Sequence, residues 1–198
     1  MKKYIAEAFG TGILTLGVAL SLVAINLPAP TIVLASVIVG ALVYALGSIS
    51  GAHLNPAVTA GVWALGKISR KDAVWYIVAQ TIGAFAAMAI QQWLKITPNL
   101  PEVSGFNVGA AEFLGTAVLT FVVAGFVYGR ISKEASGLAI GGALYVGIAL
   151  AVMIGSYGAL NPAVALGIGV LNVTYLLFPL LGGIFGAVLY GYLQKEGK

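Results

Sequence analysis

The sequence predicts an all-α integral membrane protein with six transmembrane helices and two re-entrant half-helices, arranged as an inverted repeat of three plus three spans. Three observations support this fold class. The chain has 198 residues, of which 60% are hydrophobic and 8% are charged, whereas a soluble domain carries roughly 25% charged residues. Apolar stretches of about 20 residues, the length that crosses a bilayer, follow one another along the chain. The two halves of the chain also share motifs in register.

The first half contains three spans and one short apolar segment. The short segment, at about 51–65, lies between the second and third spans and cannot cross a bilayer. Asn55 followed by Pro56 is typical of a helix start, because asparagine caps the first turn and proline fits the first helical position. We therefore predict a half-helix that begins there. The expected spans cover residues 4–25, 31–49 and 73–94, with a turn at 26–30.

The second half repeats this plan. A polar loop is expected at 130–136, and a second short helix opens at Asn161 and Pro162 and ends near Leu171. The expected spans cover residues 107–128, 137–154 and 172–193.

Matching residues support an internal repeat. Ala6-Glu7 recurs as Ala111-Glu112 at an offset of 105 residues, and the five residues from Leu54 recur from Leu160 at an offset of 106. Because each half has an odd number of spans, the second copy enters the membrane from the opposite side. We expect one membrane domain over 1–198, with repeats at 1–95 and 107–198.

The placement of basic residues predicts the orientation. If the N-terminus is cytoplasmic, nine basic residues lie in cytoplasmic segments and only Lys95 lies outside, as the positive-inside rule requires. We expect a multi-pass plasma-membrane protein with both termini in the cytoplasm. The nine residues are Lys2, Lys3, Lys67, Arg70, Lys71, Arg130, Lys133, Lys195 and Lys198.

Composition argues against several other functions. With no cysteine and one histidine, the chain offers no metal cluster and no evident pair of nucleophile and base. Ten basic residues in the whole chain form no nucleic-acid-binding surface. We expect no enzyme activity, cofactor, metal or nucleic-acid partner.

The two half-helices carry the expected function. Entering from opposite faces, their N-termini meet near the middle of the membrane, where irregular backbone is tolerated only inside protein or beside a water-filled cavity. Each helix N-terminus carries roughly half a positive charge, which repels cations and protons. Asn55 and Asn161 cap the helices and direct N–H donors into a pore, where they orient a passing oxygen atom.

These motifs resemble those of the aquaporin family, also called the major intrinsic proteins. The segment from Ser50 to Thr59 is similar to the family's first signature, and further similarities run along essentially the whole chain. They are Ala6-Glu7, Gly10-Thr11, Ala79-Gln80, Gly83, Pro179 and Gly182-Gly183. The resemblance implies a tilted six-helix bundle, a homotetramer in the lipid bilayer with one pore per subunit, and passive permeation of water, glycerol or other small neutral solutes.

The resemblance also assigns roles to individual residues. It implies that Asn55-Pro56-Ala57 and Asn161-Pro162-Ala163 line the pore. It implies that Glu7 and Glu112 support the re-entrant loops; a proton relay is the alternative. His53 is expected to stabilise its loop, with a pore-lining or gating role as the alternative.

One departure from the family is informative. The family usually has an arginine three residues after the second asparagine of these motifs, where this chain has Val164. Ungapped counting places the other three filter positions at Ala35, Ala149 and Gly158. We therefore expect a wide, apolar outer constriction without a positive charge, unless Tyr157 turns into the mouth.

Three functions are compatible with this pattern. The favoured one is a passive, loosely selective channel for water and small uncharged solutes such as glycerol. The alternatives are a secondary transporter of a small solute, since inverted repeats and broken helices also occur in transporters, and a structural membrane protein with a closed pore.

Overall fold

A computed structural model describes residues 1–24 and 30–196 of the chain. Within these residues it contains eight α-helices and no β-strand. The helices are α1 (Lys2–Val23), α2 (Thr31–Ser50), α3 (Pro56–Ala64), α4 (Arg70–Leu94), α5 (Phe106–Val127), α6 (Lys133–Ile154), α7 (Pro162–Gly167) and α8 (Val173–Glu196). The predicted end of the first span at Ile25 lies outside the described residues, as does most of the predicted turn at 26–30.

The six long helices confirm the predicted spans. In the described part of the chain, six helices are long and apolar enough to cross a membrane, and α3 and α7 are too short to do so. The helices α4 and α6 begin earlier than predicted, inside stretches expected to be polar breaks. Ser69 and Ser132 explain this, because each hydroxyl oxygen caps its helix by accepting from the N–H three residues later, at 3.0 and 3.3 Å.

The second half-helix is shorter than predicted. It ends at Gly167 rather than near Leu171, because Gly169 adopts a left-handed conformation with φ of 82°. Two hydrogen bonds close the end, from the Gly169 N–H to the Leu166 carbonyl and from the Val170 N–H to the Ala165 carbonyl. This is the Schellman arrangement, in which glycine terminates a helix without steric cost.

Corresponding helices of the two halves pack in the same way. Helix α1 packs on α4, and α5 packs on α8. A Cβ atom at Gly83 of α4 would collide with the carbonyl oxygen of Ala8, and one at Gly182 of α8 would collide with that of Phe113. Since Ala8 and Phe113 differ by the repeat offset of 105, Gly83 corresponds to Gly182. Small residues at these crossings let the helix backbones approach closely.

Candidate pore between the two half-helices

The two asparagines join the half-helices near the centre of the bundle. The Oδ1 atom of Asn55 accepts from the Ala57 N–H at 2.8 Å, and that of Asn161 accepts from the Ala163 N–H at 3.0 Å. Both oxygens therefore act as helix caps, each in front of a proline at the first helical position.

The nitrogen of each asparagine amide binds the opposite loop. The Asn55 Nδ2 donates to the Leu160 carbonyl at 2.9 Å, and the Asn161 Nδ2 donates to the Leu54 carbonyl at 2.9 Å. These reciprocal bonds fix the two half-helix N-termini beside each other. An amide nitrogen carries two hydrogens, so each asparagine keeps one N–H donor for a solute in the cavity that both residues line.

Glu7 supports the first loop. It is fully buried, and its two oxygens accept from the Ser50 hydroxyl (2.7 Å), the His53 N–H (2.9 Å), the Leu54 N–H (2.7 Å) and the Gln80 amide (2.8 Å). Buried ionisable groups in a membrane are costly unless they are paired in this way.

Glu112 supports the second loop in a corresponding manner. It too is fully buried, and it accepts from the Ala159 N–H at 3.0 Å, from the Leu160 N–H at 2.7 Å and from the Ser156 hydroxyl. The hydroxyl oxygens of Ser50 and Ser156 each accept from the N–H two residues later, at 3.0 and 3.1 Å. Neither glutamate lines the cavity. This geometry fits loop support rather than a proton relay.

The loop backbones have an unusual conformation. Ala52 and Leu54 in the first loop, and Gly158 and Leu160 in the second, have φ between 49° and 65°. For a residue other than glycine this costs about 1–2 kcal/mol, which the bonds to the glutamates offset. Alternating left-handed residues turn the N–H groups toward the glutamates. The carbonyls of Ala52 and His53 accept no hydrogen bond from the described residues, and both residues line the cavity.

A cavity of about 460 Å³ runs past both asparagines. Its wall is predominantly aliphatic. No lysine, arginine or carboxylate is among the lining residues that the structure describes. The polar side chains in the wall are Thr31, His53, Asn55, Ser156, Tyr157 and Asn161.

Three of the four residues assigned to the filter line this cavity. They are Ala35, Gly158 and Val164, whereas Ala149 is absent from the wall and Ile148 is present. The ungapped count from Asn161 therefore gives a position on α6 that is one residue later than the residue that lines the cavity. Successive residues of a helix point about 100° apart, so a shift of one position moves the side chain off the wall. Ile148 brings a branched side chain to this part of the wall, where the sequence predicted an alanine.

Two further residues of the wall lie near the loop between α4 and α5. Leu100 comes from the loop between α4 and α5, where no periodic pattern marks it in the sequence. Tyr157 lies beside it and donates from its hydroxyl to the Pro101 carbonyl at 2.8 Å. The Tyr157 ring stacks on Tyr175, whose hydroxyl also accepts from the Tyr157 N–H at 3.1 Å. These contacts hold the loop between α4 and α5 against Tyr157 in the cavity wall.

His53 lies between the first loop support and the cavity. Its N–H donates to Glu7 at 2.9 Å, and the residue is among those that line the cavity. The ring packs edge-on against Tyr76 with centroids 5.0 Å apart, and its Nδ1 lies 3.1 Å from the Thr59 hydroxyl oxygen.

Comparisons with known proteins decide the family. The family model described as "Major intrinsic protein" matches residues 1–192. The chain belongs to the major intrinsic protein family. It is 33% identical to Aquaporin AqpM of Methanothermobacter thermautotrophicus over 80% of this chain and 74% of that protein. It is also 33% identical to Aquaporin Z of Bradyrhizobium diazoefficiens, over 99% of this chain and 95% of that protein.

A solved structure supports the same fold. The chain resembles the X-ray structure of the aquaglyceroporin from Plasmodium falciparum with a TM-score of 0.69 and 20% identity, over 98% of this chain and 95% of that one. Together, the fold and the family establish a multi-pass membrane channel rather than an enzyme.

Proposed function

We propose that this channel conducts water and small uncharged solutes such as glycerol passively, with loose selectivity. The observation that carries the proposal is the aliphatic cavity past the paired asparagines, with Val164 at the position of the family's usual arginine. Ala35, Gly158 and Val164, with Ile148 in place of Ala149, form the proposed filter. Asn55 and Asn161 line the pore, whereas Pro56, Ala57, Pro162 and Ala163, also predicted to line it, form the first turns of the half-helices outside the wall. Glu7, Glu112 and His53 support the loops.

The chemistry of the wall supports uncharged solutes. A bare ion entering an aliphatic wall loses hydration that no side chain replaces, which costs far more than the desolvation of a neutral hydroxyl. The asparagine amides supply donors for a hydroxyl or water oxygen, and the unpaired loop carbonyls supply acceptors. Coupled transport has no comparable support, because among the described lining residues only His53 and Tyr157 are ionisable.

The proposal extends to assembly and orientation. The repeats at 1–95 and 107–198 form one domain in the plasma membrane, with both termini in the cytoplasm. By analogy with the family, four copies assemble, each with its own pore.

Stopped-flow light scattering on proteoliposomes tests the conduction of water and glycerol. A sucrose gradient reports water flux, and a glycerol gradient reports solute entry through re-swelling. Fast shrinkage and fast re-swelling relative to empty liposomes are the expected results. Equal rates in protein-containing and empty liposomes would refute the channel function.

Variants of Val164 test the filter. Val164→Arg adds bulk and a positive charge, so we expect it to reduce glycerol entry and any cation leak, while Val164→Ala is the uncharged control and keeps or raises glycerol entry. If Val164→Arg leaves both fluxes unchanged, Val164 does not limit permeation.

A further inference from the structure

A polar network outside the cavity wall fixes the orientation and hydrogen positions of the only histidine in the chain. It runs from Glu7 through Gln80 and Thr59 to the His53 ring. Gln80 and Thr59 are fully buried and lie behind the ring, outside the cavity lining.

The first step is the amide of Gln80. Both oxygens of Glu7 already accept hydrogen bonds from the first loop, so the group that faces Glu7 at 2.8 Å must be a donor. The NH₂ group of Gln80 therefore points to Glu7, and its second hydrogen points to the Thr59 hydroxyl oxygen at 3.0 Å. The opposite amide orientation would place two acceptors against each other.

The second step is the hydroxyl of Thr59. Its oxygen already accepts from Gln80, and its own hydrogen still needs an acceptor. Among the described residues, the one acceptor within reach is the His53 Nδ1, at 3.1 Å. Thr59 then donates to Nδ1, which carries no hydrogen, and a neutral imidazole has its hydrogen on Nε2. Nε2 bonds to none of the described residues, and His53 is one of the residues that line the cavity.

We infer that Thr59 and Gln80 are positioning residues that hold His53 as a single neutral tautomer, with its Nε2–H donor facing the cavity. In this state His53 donates to the oxygen of a passing solute and has no free lone pair with which to take a proton from cavity water. The consequence for transport rests on the proposed channel function. It gives the channel a barrier to protons that does not depend on a filter arginine.

The second half of the chain has no such network. The corresponding positions hold Ala159 and Ala165, at the repeat offset of 106, and Pro179, which follows from the equivalence of Gly83 and Gly182. The network is therefore not a general requirement of the loop fold, since Glu112 holds the second loop without it. What the network adds, under this inference, is a fixed tautomer of His53.

The single histidine makes the tautomer directly measurable. Labelling with ¹⁵N-histidine gives solid-state NMR signals from one imidazole only, in the full-length protein reconstituted in liposomes. We expect Nε2 to be protonated and Nδ1 to be an unprotonated acceptor. A wild-type spectrum dominated by protonated Nδ1 would overturn the inference.

Thr59 variants separate positioning from folding. Thr59→Val removes the hydroxyl while keeping the shape, and losing a hydrogen bond of ordinary net strength should reduce the tautomer ratio about two- to tenfold. Thr59→Ser should restore the wild-type spectrum. Thr81→Val is the matched control, because the Thr81 hydroxyl bonds only to its own helix at 2.8 Å. An unchanged spectrum in Thr59→Val would overturn the role of Thr59.

Proton flux tests the consequence for transport. With a pH-sensitive dye trapped in the liposomes, we expect Thr59→Val to conduct protons measurably faster than wild type, Thr59→Ser and Thr81→Val. A changed tautomer with unchanged proton flux would overturn the barrier role. Water flux in the same liposomes reports the proposed function separately: if wild type conducts no water, that function fails, while the NMR result still decides the tautomer.

Discussion

Replacing Glu112 by leucine tests whether the glutamates hold the pore loops in place. The substitution keeps a similar size but removes the acceptor for two backbone N–H groups and the Ser156 hydroxyl. Unsatisfied buried donors cost about 1–3 kcal/mol each, and the loss of the buried carboxylate offsets part of that sum. With three donors left without an acceptor and part of that cost offset, we take about 3–5 kcal/mol as the net loss of stability.

This energy corresponds to a measurable loss of thermal stability. For a chain of this size, about 3–5 kcal/mol lowers the melting temperature by roughly 6–20 °C. Size-exclusion chromatography of detergent-solubilised protein after stepwise heating measures the change. Glu7→Leu should be more destabilising, because Glu7 accepts four hydrogen bonds where Glu112 accepts three.

Glu102→Leu is the matched control, since Glu102 lies exposed in the outer loop, and we expect its melting temperature to be unchanged. Water flux through Glu112→Leu should fall, because the loop that it supports carries Gly158 and Asn161. A Glu112→Leu protein as stable and as active as Glu102→Leu would refute the reasoning: the loop donors would then have other acceptors, and Glu112 would not support the loop.

Two further substitutions test the helix crossing and the outer loop. Gly83→Ala should destabilise the protein by about 1–3 kcal/mol, because its Cβ atom would collide with backbone of α1, whereas Gly142→Ala, which has open space around it, should be neutral or slightly stabilising in the same heating assay. Tyr157→Phe removes the hydroxyl that holds the loop between α4 and α5, so we expect faster glycerol entry at little-changed water flux. Tyr145→Phe, on an exposed part of α6, is the control. Equal glycerol rates in both variants would show that the Tyr157 hydroxyl contact does not limit glycerol entry.

Most of the architecture could be predicted from the sequence because the determining forces are local. Apolar stretches long enough to span the bilayer gave the six long helices, and the Asn-Pro pairs marked the starts of both half-helices. The second half-helix was predicted too long because the residues after it are apolar. The left-handed Gly169 ends it, and hydropathy does not report backbone conformation.

The pore wall was less predictable. Of the four residues assigned to the filter, Ala35, Gly158 and Val164 line the cavity, and on α6 Ile148 does so in place of Ala149. Which residue of α6 faces the cavity depends on the path of the loop that joins α6 to the second asparagine. Counting residues back from that asparagine does not include the path of the loop. Leu100 reaches the wall from a loop, through tertiary contacts that leave no pattern in the sequence.

The location of polar groups in the cavity suggests how a channel without a filter arginine discriminates among solutes. Around Val164, Ile148 and Ala35 the wall is aliphatic, so under the proposed function the outer half discriminates by size and by the cost of dehydration. The asparagine amides and, by the inference above, the Nε2–H of His53 supply directional donors in the same cavity. Under the proposed function, a solute must therefore be small enough to pass the aliphatic wall, and it must also accept hydrogen bonds from these donors. An arginine in place of Val164 would add a hydrogen-bond donor and a positive charge to the aliphatic part of the wall. We therefore expect Val164→Arg to change which solutes enter as well as how fast they enter.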